Sequence, residues 1–387
     1  MKTTVTFFPV GNGDMTLLKF ESGRTLLIDV NIRDAADDPE DDTPDVGAEL
    51  RERLNQDDAG RLYVDAFVLS HPDADHCNGL REHFYLGPPS EFPDDSDKIF
   101  IRELWSSPIV FRRASRNLTL CDDAQALQAE AKRRVKRFRD SRGPLVEGDR
   151  ILVLGEDKGG KTDDLGDILI KVDDAIQRIN GEYDRSANIQ LLAPLTISED
   201  DLVEESLSKN HSSVILRIGL TANGNENACI FLTAGDAEVG IWERLWKKHA
   251  AQPEVLQYDM LLSPHHCSWH ALSYDSWSEL RESAAVSSDA RNALAQALEG
   301  AFIIAGSRPV KDDDCDPPCI RAKREYEEIA KSVRGSFVCV GERPSEDNPE
   351  PLEFEITTAG PRHLSRPMRV SVIRGAGAIG GQPLAHG

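Results

Sequence analysis

Four times along this chain an apolar, strand-like run stops at a side chain that binds metals. Thr25-Leu26-Leu27-Ile28 ends at Asp29, and Ala66-Phe67-Val68-Leu69 leads into His71. Ala228 to Thr233 leads through Ala234-Gly235 to Asp236, and Met260-Leu261-Leu262 leads through Ser263-Pro264 to His265 and His266. Each run reads as a buried strand closed by a turn signal. In a sandwich of two sheets the strand ends along one edge converge, so residues far apart in sequence meet at one place. The pattern predicts an α/β layered chain with a polar centre at one edge.

The densest of these endings is His71-Pro72-Asp73-Ala74-Asp75-His76, with four ligand-type side chains in one short turn. A tight turn after a strand can send His71 and Asp73 to one side and Asp75 and His76 to an adjacent one, enough for two metal ions. Imidazole with carboxylate suits Zn²⁺ or Mn²⁺ and does not distinguish them. Asp236, placed after a glycine at a strand end, can bridge two such cations.

His71-x-Asp73-x-Asp75-His76 resembles the signature of the metallo-β-lactamase fold, in the variant where aspartate stands for the middle histidine. With Asn78-Gly79 behind it, the motif is similar to the hydrolase domain of the competence protein ComEC and its stand-alone relatives. Further pieces fit the resemblance: Gly11-x-Gly13-Asp14, Asn210-x-x-Ser213, Gly235-Asp236, and Pro264-His265-His266-Cys267-Ser268, where the family has glycine at the Cys267 position. It implies a four-layer αββα sandwich of two mixed sheets with helices on the outer faces. It also implies that His71, Asp73 and His211 (with Asn210 as the alternative) hold one metal, and that Asp236 bridges to the other. Asp75, His76 and one of His265 and His266 hold that second metal; the remaining histidine contacts the substrate's phosphate or oxyanion. Asp14 and Asp29 would support the ligands from behind, while Ser213, Ser307 and Arg308 line the site. Asp75 would also carry a proton to or from the reacting groups.

The activity implied is hydrolysis of a phosphodiester, DNA foremost, by a water held as hydroxide between the two cations. The net charge of −22 argues against binding nucleic acid over the whole surface, so a DNA substrate needs a local basic strip. One candidate is the amphipathic helix marked by Ala124, Leu127, Ala131, Val135 and Phe138. Its basic residues are Lys132, Arg133, Arg134, Lys136, Arg137, Arg139 and Arg142, with Arg112, Arg113 and Arg116 upstream. Of these, Arg133, Arg134, Lys136 and Arg137 are the candidate nucleic-acid contacts. Two other readings stay open: a hydrolase of small phosphodiesters or esters, and a metal-stabilised scaffold without turnover.

Residues 1–370 read as one hydrolase domain with an inserted, partly basic helical segment at about 85–145, and 371–387, rich in Gly and Ala, as a frayed tail. A helix is expected over Ile168 to Ile179 and another over Ile320 to Val333. No stretch approaches the apolar length of a membrane span, no signal peptide opens the chain, and seven Cys in no repeated spacing fit reduced thiols, so a cytoplasmic protein is expected. Cys315 and Cys319 form the only close pair, a weak hint of zinc.

Overall fold

The computed structural model describes residues 1–37, 41–107, 120–141, 143–157, 160–195 and 213–364. Two large mixed sheets face each other. In the first, the strands run in the order Gly360–Leu364, Leu352–Thr357, Thr4–Phe7, Thr16–Lys19, Thr25–Ile28, Leu62–Leu69, Ile99–Ser106, Arg150–Leu154 and Leu169–Ile170. The pairings up to Thr25–Ile28 are antiparallel, and those beyond it are parallel. The second sheet repeats this division. Ala175–Ile176, Ala187–Ala193, Ile215–Ala222 and Asn225–Leu232 pair antiparallel, and Tyr258–Leu262, Ala297–Ala305 and Ser336–Cys339 continue in parallel.

Side chains alternate across each pleat, so one strand can serve two cores. From Leu62–Leu69, Ala66 and Val68 point between the sheets, where they join Phe7, Leu26, Leu216, Phe231, Met260 and Ile304. Phe67 and Leu69 point the other way, onto Val46, Leu50, Leu80, Leu127 and Ala131 of the covering helices. The outer face of the second sheet is covered in the same manner by Trp242 and Leu245 of the helix Val239–His249 and by Tyr326 and Ile329 of the helix Ile320–Ser332. The chain thus forms the αββα sandwich of two mixed sheets that the metallo-β-lactamase resemblance implies.

Of the described residues in 85–145, Ile99–Ser106 is an inner strand of the first sheet, and the helix Asp122–Asp140 lies on its outer face. The helix expected over Ile168 to Ile179 is not formed. A single 3₁₀ turn, Gly166–Ile168, leads into the short strands Leu169–Ile170, Ala175–Ile176 and Arg178–Ile179. Ile168, Ile176 and Ile179 imitate helical spacing, but Asp173 takes φ 74° and the Asp174 carboxylate accepts from the Lys171 N–H, which closes a turn instead. The tail 371–387 lies outside the described residues. No described helix is long and apolar enough to cross a membrane.

Candidate metal centre

The predicted side chains meet where the parallel strands of both sheets end. Asp236 sits at the middle, 2% exposed, between two groups of imidazoles. Its Oδ1 faces His76 Nε2 at 3.1 Å and His266 Nε2 at 3.3 Å; its Oδ2 faces His71 Nε2 at 3.2 Å and His265 Nε2 at 3.6 Å. Asp73 lies on the His71 side, 3.9 Å from its Nε2, and Asp75 on the His266 side at 3.4 Å. His265 therefore falls with the first-metal residues rather than the second. His211 and Asn210 lie outside the described residues.

What the imidazoles do with their other nitrogen decides which atom is free. His76 Nδ1 stands 2.8 Å from Asp29 Oδ2, and His266 Nδ1 stands 3.1 Å from the Gly306 carbonyl, an acceptor only. Ser70 gives its hydroxyl hydrogen to Asp29 Oδ2 at 2.5 Å, so its oxygen accepts from His71 Nδ1 at 3.0 Å. In all three rings the Nδ1 carries the hydrogen, and the Nε2 lone pair is turned onto the carboxylate of Asp236. The Nε2 atoms of His76 and His266 are only 3.2 Å apart. Lone pairs facing one another and an anion are tolerable only with positive charge among them.

The electrostatics agree. Burial disfavours the charged form of Asp236, yet the imidazoles of His71, His76 and His266 outweigh it and hold its carboxyl well below the usual range. Burial likewise opposes charge on His266, but Asp236 and Asp14 raise its pKa to about 10. His76 is pushed well above its usual value by Asp236 and Asp29 against the same penalty. The centre binds cationic charge, and protons supply it where no metal does. Buried Nε2 of His71, Oδ1 of Asp236 and Oδ1 of Asp14 have no hydrogen-bond partner, as coordinating atoms would not. Among the described residues, Asp14, His76, Asp236 and His266 form the buried group whose ligand atoms all lie within 4.8 Å of one another. The residues present fit a divalent metal centre.

The surrounding backbone is shaped for this purpose. Asp29, at φ 57°, accepts the Ser70 N–H at 2.6 Å as well as the two contacts above, and so ties the strand end to the histidine turn. The Asp14 N–H donates to the Asp75 carbonyl at 3.2 Å; a Cβ on Gly13 would lie 2.7 Å from that carbonyl oxygen and 2.2 Å from Asn31 Nδ2, so only glycine fits there. Asp14 stands 3.5 Å from His266 Nδ1, the ring nitrogen turned away from Asp236. Ser213 Oγ accepts the Asp236 N–H at 3.1 Å and fixes the turn that presents it.

His265, His266 and Cys267 all adopt the left-handed region, with φ of 51°, 52° and 68°. A side chain there costs roughly 1–2 kcal/mol, and three in succession mark a strained segment. The His265 N–H to the Gly235 carbonyl at 2.9 Å and the Ser268 N–H to the His265 carbonyl at 2.8 Å hold it. Cys267 adopts that conformation without being glycine and buries its thiol in the outer core.

The remaining expectations fall differently. Ser307 is buried and its hydroxyl donates to the Arg308 carbonyl. Arg308 is exposed, and its N–H donates to Asn12 Oδ1 at 3.2 Å, beside the Asp14 turn. Arg134 is not available to nucleic acid: it is 1% exposed and its guanidinium donates to Glu130 and to the carbonyls of Arg150 and Ile101. Arg133 is clasped by Glu130 and Asp149, Arg137 pairs with Asp149, Lys136 with Asp140 and Arg139 with Asp164. Lys132 donates to Gln128 Oε1 at 2.9 Å, and the other described basic residues of this face meet local carboxylates. Arg112, Arg113, Arg116 and Arg142 lie outside the described residues. Cys315 and Cys319 belong to no metal-type group among the described residues.

Sequence reasoning missed the Gly306 carbonyl as the group that sets the His266 tautomer. A glycine closing an apolar strand was the only signal available. A Cβ there would lie 2.6 Å from Asp14 Oδ1, so the glycine also makes room for that carboxylate.

Comparison with known proteins finds no matching family model and no matching curated protein. A solved structure described as a new diphosphatase from the PhnP family matches with 12% identity and a TM-score of 0.33, covering 92% of this chain and 99% of that one. Likeness at that level has no bearing on activity.

Proposed function

We propose that this chain is a metal-dependent hydrolase of phosphodiesters that works with two divalent cations, Zn²⁺ or Mn²⁺. The observation that carries the reading is Asp236, whose two carboxylate oxygens each face a separate pair of imidazoles. His71, Asp73 and His265 would hold one cation, and His76, Asp75 and His266 the other, with Asp236 common to both. Cations so held supply Lewis-acid charge and an activated water for attack at phosphorus. Asp29, through Ser70 and directly, keeps the Nε2 atoms of His71 and His76 free to coordinate. Asp75 is held ionised: burial favours its neutral form, but His266 and His76 prevail. Its place beside His266 Nε2 at 3.4 Å suits it to the role of ligand. Asp14 completes the negative charge around His266 and keeps that ring in place.

Between the two substrate classes, the pairing of Arg133, Arg134, Lys136 and Arg137 with carboxylates on the helix Asp122–Asp140 favours a small phosphodiester over DNA among the described residues. The test is metal analysis by mass spectrometry together with turnover of a small aryl phosphodiester, a carboxylic ester, RNA, and single- and double-stranded DNA, for wild type and Asp236→Asn. Two bound metals and phosphodiester cleavage lost in the variant are expected. Metal bound with no turnover of any substrate would leave the scaffold reading, and equal activity in the variant would remove the centre from the chemistry. DNA cleavage weakened by Lys136→Glu with Arg137→Glu would restore the nuclease.

A further inference from the structure

Outside the metal centre, two thiols face each other across the layers. Cys77 follows His76 directly and closes the short helix Ala74–Cys77; Cys121 caps the helix Asp122–Asp140. Their Sγ atoms are 3.6 Å apart. Cys77 is fully buried and donates to the Asp73 carbonyl at 3.1 Å, while Cys121 is partly exposed. Cys121 accepts the Ala124 N–H at 3.4 Å, so its sulfur sits at the positive end of a long helix. When the Cys77 hydrogen turns from the Asp73 carbonyl to Cys121 it lowers the Cys121 pKa most; burial opposes this, and the N–H groups of Ala124 and Asp123 add to it. Cys121 is thus a partly exposed sulfur at a helix N-terminus, with a second thiol behind it. That is the arrangement of an attacking and a resolving cysteine.

We propose that Cys121 and Cys77 form a peroxide-modification site whose closure into a disulfide pulls on the metal-binding turn. The Cys121 thiolate attacks a hydroperoxide oxygen: an S–O bond forms, the O–O bond breaks, and the departing alkoxide or hydroxide takes a proton from water. Cys77 then attacks the Cys121 sulfenic acid. The S–S bond forms, the S–O bond breaks, and the hydroxyl leaves with the thiol's proton as water. The two thiols give up two electrons and the peroxide takes them. Bringing the sulfurs from contact to a bonded separation of about 2.05 Å moves each by less than an ångström. It also deprives the Asp73 carbonyl of its thiol donor, one residue-turn away from His71 and His76.

The test is intact-mass analysis and peptide mapping of the full chain, metal-loaded, after treatment with hydrogen peroxide and alkylation of free thiols. Wild type is expected to yield a Cys77–Cys121 linked peptide pair that dithiothreitol reverses, and to lose metal faster to a chelator while oxidised. Cys121→Ser keeps the helix cap, since serine is a favoured capping residue. It should form no linked pair and show no change in metal release. Absence of the linked pair in wild type, or the same loss of thiols in both proteins, would overturn the modification site. A disulfide that leaves metal release unchanged would overturn its coupling to the turn. The linked pair itself does not depend on the hydrolase reading.

Discussion

Asp29 never touches a substrate in the proposed chemistry, yet it governs two of the ligands, and its replacement by asparagine isolates that role. Asparagine keeps the volume and tolerates the left-handed backbone at φ 57°. The carboxylate now accepts from the Ser70 N–H, the Ser70 hydroxyl and His76 Nδ1 at 2.6, 2.5 and 2.8 Å. An amide offers one acceptor oxygen, and its NH₂ must point at Ser70 or at His76, donor against donor. If the oxygen keeps the Ser70 N–H, the NH₂ drives His76 to the other tautomer and removes its Nε2 lone pair. Losing a buried hydrogen bond to a charged group costs about 1.5–3 kcal/mol, and disturbing the partner behind a metal-binding histidine typically costs about ten- to a hundredfold in affinity. Competition of the purified variant against a chromophoric chelator should show that loss, with a folded circular-dichroism spectrum. A variant that binds metal as tightly as wild type would refute the tautomer reasoning, and with it the claim that the Nε2 atoms are the ligands.

Other outcomes follow from single contacts. Arg134→Met should lower the denaturant midpoint by an amount equivalent to about 3 kcal/mol, because Glu130 and two backbone carbonyls lose a buried donor; an unchanged midpoint would mean that the side chain is free. Gly306→Ala should weaken metal binding while leaving thermal stability close to wild type, since the new Cβ meets Asp14 Oδ1 at 2.6 Å. Asp184 is held below the ordinary carboxylate range: burial works against ionisation, and hydrogen bonds from Ser186 and Ser22 with the Arg24 charge outweigh it. Its contribution to stability is therefore complete above the unfolded-state pKa of about 3.9 and is lost as pH falls through the lower folded value. Urea titrations of wild type and Asp184→Asn should differ at pH 7 and converge in acid.

The layers were legible because the strands carry their period openly: Ala66 and Val68 against Phe67 and Leu69 announce a strand buried on both faces. The candidate centre was legible because its ligand-type residues follow such strands. What could not be read was complementarity between distant segments. The basic run from Lys132 to Arg139 looks like a nucleic-acid face until Glu130, Asp149 and Asp164 are seen to meet it. One residue did carry a warning: Arg134 lies seven positions after Leu127, on the apolar side of the same helix, where the structure buries it. The side of Asp236 on which His265 and His266 fall depends on three left-handed residues, and a sequence with cysteine where glycine is usual gives little sign of them.

The ligand-type residues come from Asp14, the turn after Leu69, the turn after Leu232 and the turn after Leu262, so they belong to both sheets. A growing chain that has left the ribosome only as far as His76 can offer a cation a few loose donors, but not Asp236. For the proposed metal centre, a complete set of donors would then exist only once the second sheet has been made and has closed on the first.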